Sequence, residues 1–248
     1  MMRKMASFQL WTLNFGRQAH KLRAVPILAY ILTALAAYLL GSIPTGFLAA
    51  KAKGIDIRSV GSGNIGATNA MRALGKPLGI FVLLMDALKG FLAVYLAMKV
   101  FLLLYPFTPP AHFFARELKM YLDQAFNHGI VAGIFAVFGH NFPCWLRFKG
   151  GKGIATTAGV YLALAPWPLL IALAVFILAL LATRYVSVGS ISGAVALPAA
   201  VWILPPHNLL LAIVTTALGA LAIYKHKSNI QRLVAGTENR FGKKKETK

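Results

Sequence analysis

The 248-residue chain is 58% hydrophobic and only 13% charged, whereas soluble globular proteins carry about 25% charged residues. Its 26 Lys+Arg against 6 Asp+Glu leave a net charge of +20. Disorder and a soluble, basic nucleic-acid binder are excluded, because neither carries this much apolar length, and no nucleic-acid partner is expected. The lone cysteine, Cys144, excludes an intrachain disulfide and any cysteine-based metal cluster.

Residues 1–24 form a basic extension holding Arg3, Lys4, Arg17, Lys21 and Arg23. The stretch 24–50 is uncharged and long enough for the ~20 apolar residues that a membrane-spanning helix needs. Residues 77–100 predict a second span, although Asp86 and Lys89 lie inside it; three apart, they share a helix face and can pair there. A third span is expected from about Gly129 to Leu146. The uncharged run 153–183 exceeds one helix, and Ala165-Pro166-Trp167-Pro168 divides it into a short piece and a full span. The run 185–224 is divided at Leu204-Pro205-Pro206-His207, giving spans near 188–204 and 207–224. The reading is an all-α integral membrane protein with seven transmembrane helices, the fourth short.

Basic residues orient such a bundle, because they gather on the cytoplasmic side. With the loop 51–76 cytoplasmic, that side receives Lys51, Lys53, Arg58, Arg72 and Lys76, then Arg147, Lys149, Lys152 and Arg184, and then the tail. The outer loops receive only Arg116 and Lys119. The C-terminus is then cytoplasmic and the N-terminus outside. The basic extension resists this bias, and reads as an interfacial segment or as sequence preceding an internal start; it is too long before its apolar stretch for an ordinary signal peptide.

The chemistry-bearing residues sit at the cytoplasmic ends of the spans. The first loop reads Gly61-Ser62-Gly63-Asn64-Ile65-Gly66-Ala67-Thr68-Asn69, preceded by Arg58. Its G-x-G-x-x-G spacing is no dinucleotide fingerprint, since a membrane span precedes it in place of a strand. Closely spaced glycines still let backbone N–H groups converge on an anion, and an arginine adds a charge-assisted contact. The bland alternative is a tight turn between helices. The second loop, Lys149-Gly150-Gly151-Lys152-Gly153, opens a helix, where exposed N–H groups favour an anion; Lys149 also suits a simple anchor. Upstream, His140 reads first as a helix-end hydrogen-bonding group. The last span ends at His226 and Asn229, which share a face if the helix continues. Glu238 lies among bases and suits a structural salt bridge as well as chemistry. Ser190 offers a hydroxyl on the same side, and Ser42 lies deeper, where it can bond its own helix backbone.

Together, Gly41-Ser42-Ile43-Pro44-Thr45-Gly46, the run Arg58 to Asn69, Gly139-His140 through Lys152-Gly153, and His226-x-x-Asn229-Ile230 resemble the motifs of the bacterial acyl-phosphate:glycerol-3-phosphate acyltransferases. The resemblance spans residues 25–242, leaving 1–24 as an extension of unassigned role and 243–248 as a basic tail. It implies a seven-span inner-membrane enzyme with glycine-rich cytoplasmic active-site loops. Such an enzyme transfers a fatty acyl group from acyl phosphate to the 1-hydroxyl of glycerol 3-phosphate, giving lysophosphatidic acid and phosphate, the first acylation of phospholipid synthesis. It further implies no metal or other cofactor, the lipid bilayer as surroundings, and functional coupling to a soluble acyl-phosphate-producing enzyme.

Position by position, the resemblance makes Arg58, Lys152, His226 and Asn229 the expected catalytic groups. Ser42, Gly61, Ser62, Gly63, Asn64, Gly66, Thr68 and Asn69 are expected to bind substrate or phosphate, with Lys149, Gly150, Gly151, Gly153, Ser190 and Glu238. The chain departs from the family pattern in residues 1–24 and in an enlarged outer segment, 101–127. Two phosphorylated substrates must be held together against their repulsion, which suits glycine loops, a helix N-terminus and cations. An acyl phosphate is already activated, so positioning and electrostatic stabilisation carry the expected reaction. A membrane carrier of organic phosphates is the alternative reading, disfavoured by the lack of an evident inverted repeat.

Overall fold

A computed structural model describes residues 27–107 and 115–242; the basic extension, the start of the first expected span and the tail lie outside the described residues. These residues form α1 (Ile27–Gly41), α2 (Thr45–Lys51), α3 (Ala67–Leu74), α4 (Lys76–Leu104), α5 (Ala115–Asn141), a 3-10 turn (Cys144–Leu146), α6 (Ile154–Leu164), α7 (Pro166–Thr183), α8 (Val186–Ile203), α9 (Leu209–Lys225) and α10 (Lys227–Val234). Among the described residues every regular element is a helix.

Among the described residues, five helical segments are long and apolar enough to cross a bilayer: α1 with α2, α4, α5 with its 3-10 turn, α7, and α8. The bent pair α9 and α10, 52° apart, makes a sixth if taken as one span. The short fourth piece is α6, whose 11 residues cover roughly 16 Å, half of the ~30 Å apolar core. Proline sets the divisions. Pro166 starts α7, where its missing N–H costs nothing, and Pro44 follows the break after α1.

Two boundaries differ from the sequence expectation. The third span does not begin near Gly129, because α5 starts at Ala115, and α4 continues to Leu104. Within the enlarged segment 101–127, residues 101–104 and 115–127 are therefore helix, not loop, and 108–114 lie outside the described residues. Charged residues hid this: Arg116, Glu117, Lys119 and Asp123 break the apolar run, yet the Lys119–Asp123 ion pair (2.8 Å, one turn apart) is compatible with an exposed helical extension.

Packing is that of a membrane protein. Large apolar side chains such as Leu103, Leu181 and Ile203 face outward, while buried positions include Ser42, Asn69, Asp86, Lys89, His140, Asn141 and Thr156. Helices approach through small residues: Gly159 of α6 lies on the backbone of Ala87, and Gly90 of α4 on that of Thr156. The apolar core gathers Val94, Ile130, Val160, Tyr161, Leu197 and Leu211 around α6. This seats the short helix inside the bundle with its N-terminus beside the first loop.

Candidate active site

The first loop is pinned from within by Asn69, which is almost fully buried. Its Oδ1 accepts from the Ser62 N–H (2.9 Å), while Nδ2 donates to the carbonyls of Val60 (2.9 Å) and Ile57 (3.1 Å). Asn64 Oδ1 accepts from the Gly66 N–H (2.8 Å). These bonds close the loop and leave the N-terminus of α3 without a side-chain cap. Asn69 thus acts on the loop's own backbone. Arg58 is directed elsewhere: its Nε and Nη2 donate to the two oxygens of Asp56 at 3.0 Å each, and its guanidinium lies over the Phe47 ring. Ser42 is fully buried beside α5, with its hydroxyl unpartnered.

The second loop is carried by the end of α5, where helix carbonyls lack intrahelical donors. Gly151 donates to His140 O (3.0 Å) and Gly150 to Asn141 O (3.2 Å). Gly153 takes φ +83°, a left-handed conformation that disfavours side chains, and turns the chain into α6. The α6 N-terminus is likewise uncapped. Lys152 Nζ donates to Asn229 Oδ1. Burial, followed by the charges of Arg232, Arg72 and Lys225 and opposed by Glu238, brings its pKa down to about 8.

The third contribution comes from the α9–α10 bend. His226 is buried, and its Nδ1 lies 2.7 Å from Ala222 O. A carbonyl only accepts, so this contact places the ring proton on Nδ1 and leaves Nε2 as an acceptor. Burial and the Lys152 charge outweigh the Ala222 hydrogen bond and Glu238, lowering the imidazole pKa to about 4. Glu238 organises its neighbours: Oε1 accepts from Asn229 Nδ2 (2.8 Å) and Ser187 Oγ (3.1 Å), and Oε2 from Arg232 Nε (2.7 Å). Burial would raise this carboxyl, but those bonds and the Arg232 charge hold it below the ordinary range. With its amide nitrogen committed to Glu238, Asn229 must turn Oδ1 towards Lys152.

The three parts meet around a cavity of about 150 Å³. Of the expected site residues, Ser62, Asn64, Gly66, Thr68, Asn69, Lys152, Gly153, Ser190, His226, Asn229 and Glu238 line it. Gly61, Gly63, Lys149, Gly150 and Gly151 shape the loops behind it, and neither Arg58 nor Ser42 reaches its wall. The second cation at the wall is Arg72, one turn beyond Thr68 on α3, together with Ser187, Asp86 and His140. Arg72 was legible only as a positive-inside residue; its position after an uncapped helix start was the available signal. Two helix N-termini, a lysine and an arginine converge here, which suits bound anions. Ile154, Phe176 and Ser190 are shared with an apolar groove of about 70 Å³ among α6, α7, α8 and α9. Ser190, bonded back to Val186 O (2.9 Å), marks the junction.

Fold and site together define a helical integral membrane protein with a cation-lined polar cavity opening onto an apolar groove. The family model described as glycerol-3-phosphate acyltransferase matches residues 31–236. A glycerol-3-phosphate acyltransferase of Trichlorobacter lovleyi is 47% identical over 205 residues, covering 83% of this chain and 94% of that protein. Another, of Endomicrobium trichonymphae, is 42% identical over 216 residues, 87% and 97% of the two chains. The crystal structure of PlsY (YgiH), an integral membrane glycerol 3-phosphate acyltransferase, in its glycerol 3-phosphate form matches with a TM-score of 0.73 and 37% identity over 86% of this chain and 96% of that one. Its lysophosphatidic acid form matches at 0.71 and 36%, over 86% and 95%. The chain belongs to the glycerol-3-phosphate acyltransferase family.

Proposed function

We propose that this enzyme takes its acyl group from acyl phosphate and transfers it to the 1-hydroxyl of glycerol 3-phosphate, releasing phosphate and 1-acyl-glycerol 3-phosphate. One observation carries the reading: a cation-lined cavity with two uncapped helix N-termini runs directly into an apolar groove. A donor with an anionic head and a hydrocarbon tail fits that junction. The relatives' names and the glycerol 3-phosphate form of the solved neighbour support the acceptor.

In the proposed reaction, Lys152, Arg72 and the N–H groups opening α3 and α6 hold the phosphates. Nε2 of His226 takes the proton of the 1-hydroxyl, whose oxygen attacks the acyl carbonyl carbon. The acyl C–O bond to phosphate breaks, and charge building on the departing phosphate is met by Lys152 and the α6 N-terminus. Asn229 and Ser190 orient glycerol phosphate. The distribution of basic residues supports a bacterial inner-membrane location, with the site and the C-terminus on the cytoplasmic face.

Purified protein in liposomes, supplied with palmitoyl phosphate and labelled glycerol 3-phosphate without ATP or added metal, is expected to form labelled lysophosphatidate. Unmodified label accumulating in the lumen supports an organic-phosphate carrier instead. For the base role, His226→Ala is expected to lower kcat. Near-normal kcat with raised KM for glycerol 3-phosphate assigns the proton to a substrate phosphate.

A further inference from the structure

At the inner wall of the cavity lies a charged cluster that the proposed reaction does not use. Asp86 and Lys89 form a buried ion pair on α4 (2.8 Å), and Lys89 Nζ also donates to Ile43 O (2.9 Å), beside the break after α1. These contacts already pair the lysine. His140, from the end of α5, brings Nδ1 to 3.6 Å from Asp86 Oδ1, and both residues line the cavity.

The other edge of that imidazole lies against the second glycine loop. A Cβ at Gly151 would fall 2.0 Å from His140 Nε2, so the ring and the loop backbone meet without slack. The same residue's carbonyl accepts the Gly151 N–H (3.0 Å). Lys152 follows immediately, with its amine on Asn229.

We propose that His140, packed between Asp86 and the second glycine loop, is a positioning residue: by seating the Gly151 backbone it sets where Lys152 enters the cavity and meets the donor phosphate. The proposal rests on the acyl-phosphate reading. It explains why a histidine and a carboxylate, costly inside a bilayer, stand one layer behind the loop. The ring acts on Gly151, and Gly151 on Lys152.

Wild type, His140→Ala, Gly151→Ala and the double variant are compared in detergent with palmitoyl phosphate and glycerol 3-phosphate, alongside thermal unfolding. His140→Ala is expected to lower kcat and raise KM for palmitoyl phosphate, together costing roughly 10- to 100-fold in kcat/KM, the cost of misplacing a group by about 1 Å. KM for glycerol 3-phosphate and the thermal midpoint should stay near wild type. Gly151→Ala drives a methyl into the ring and is expected to lose at least as much. Removing the ring should recover part of that loss, so the double variant exceeds Gly151→Ala, a non-additivity expected of groups in contact. A double variant no better than Gly151→Ala, unchanged kinetics in His140→Ala, or a loss confined to thermal stability overturns the positioning role and leaves the donor reading standing. Absence of acyl-phosphate-dependent turnover in wild type refutes the donor reading, and this proposal with it.

Discussion

Replacing Lys152 with methionine removes the cavity's central positive charge while keeping a side chain of similar length. The amine donates to Asn229 Oδ1 and lies among Arg232, Arg72 and Lys225, with Glu238 opposing them. A charge-assisted hydrogen bond contributes about 1.5–3 kcal/mol. Two unit charges 4 Å apart at an effective dielectric near 20 give about 4 kcal/mol as an upper value. A loss of about 2–4 kcal/mol of transition-state stabilisation corresponds to roughly 30- to 900-fold in kcat/KM. The fold should not suffer, because burial already disfavours this charge, as its depressed pKa shows. Initial rates of labelled lysophosphatidate formation from palmitoyl phosphate in detergent, with a thermal unfolding midpoint, test both parts. A variant that unfolds like wild type and loses less than about threefold would refute Lys152 as the phosphate-stabilising group.

Three further outcomes are expected. With a pKa near 8, Lys152 of the free enzyme is charged below that pH and loses its proton above it, so KM for acyl phosphate should rise by up to about tenfold per pH unit above 8. Bound phosphate dianion favours the protonated amine, so kcat should be less affected; pH–rate profiles check this, and Lys152→Met should flatten the alkaline limb. Glu238→Ala removes the acceptor that fixes Asn229 and leaves Arg232 Nε without its partner. It is expected to cost about 1–3 kcal/mol of stability by denaturant titration and to lower kcat. Gly193→Val places methyl groups in the apolar groove, where a Cβ would lie 3.6 Å from Phe176 Cβ and 3.3 Å from Ala172 O, close enough that α7 must give by a few tenths of an ångström. The kcat/KM ratio of palmitoyl to decanoyl phosphate should fall by about tenfold or more, with an unchanged ratio excluding this groove as the acyl site.

Much of the molecule is readable from local features of its sequence. Apolar run lengths, the prolines at 166 and 205–206, and the glycine-rich joints are local signals, because a bilayer demands a minimum apolar length and proline removes an N–H. They defined an all-helical membrane protein with a short apolar segment before Pro166. The spacing of Asp86 and Lys89 made their ion pair readable as one turn of helix. The helical extension at residues 115–128 was less legible, since charge reads as loop whenever hydropathy is the guide. Sequence order also suggested that a site would assemble from the loop 58–69, the run 149–153 and the end of the last span near 226, and those three segments do meet around one cavity.

Which side chains reach the cavity was decided only by tertiary structure. Arg58 and Arg72 are both cations of the segment between the first two expected spans, but Asp56 and the Phe47 ring hold one while α3 carries the other to the wall. Asn69 and Glu238 resemble ligand-binding groups in one dimension. In three, Asn69 binds its own loop, and Glu238 joins Ser187 of α8 to Asn229 and Arg232 of α10. Periodicity within a helix records which faces are apolar, but a hydrogen bond between residues fifty positions apart leaves no local trace. The excess of positive charge could orient the bundle from sequence alone. Only the packing of α3, α6 and α10 around one cavity separated the few cations that line it from the many that lie elsewhere.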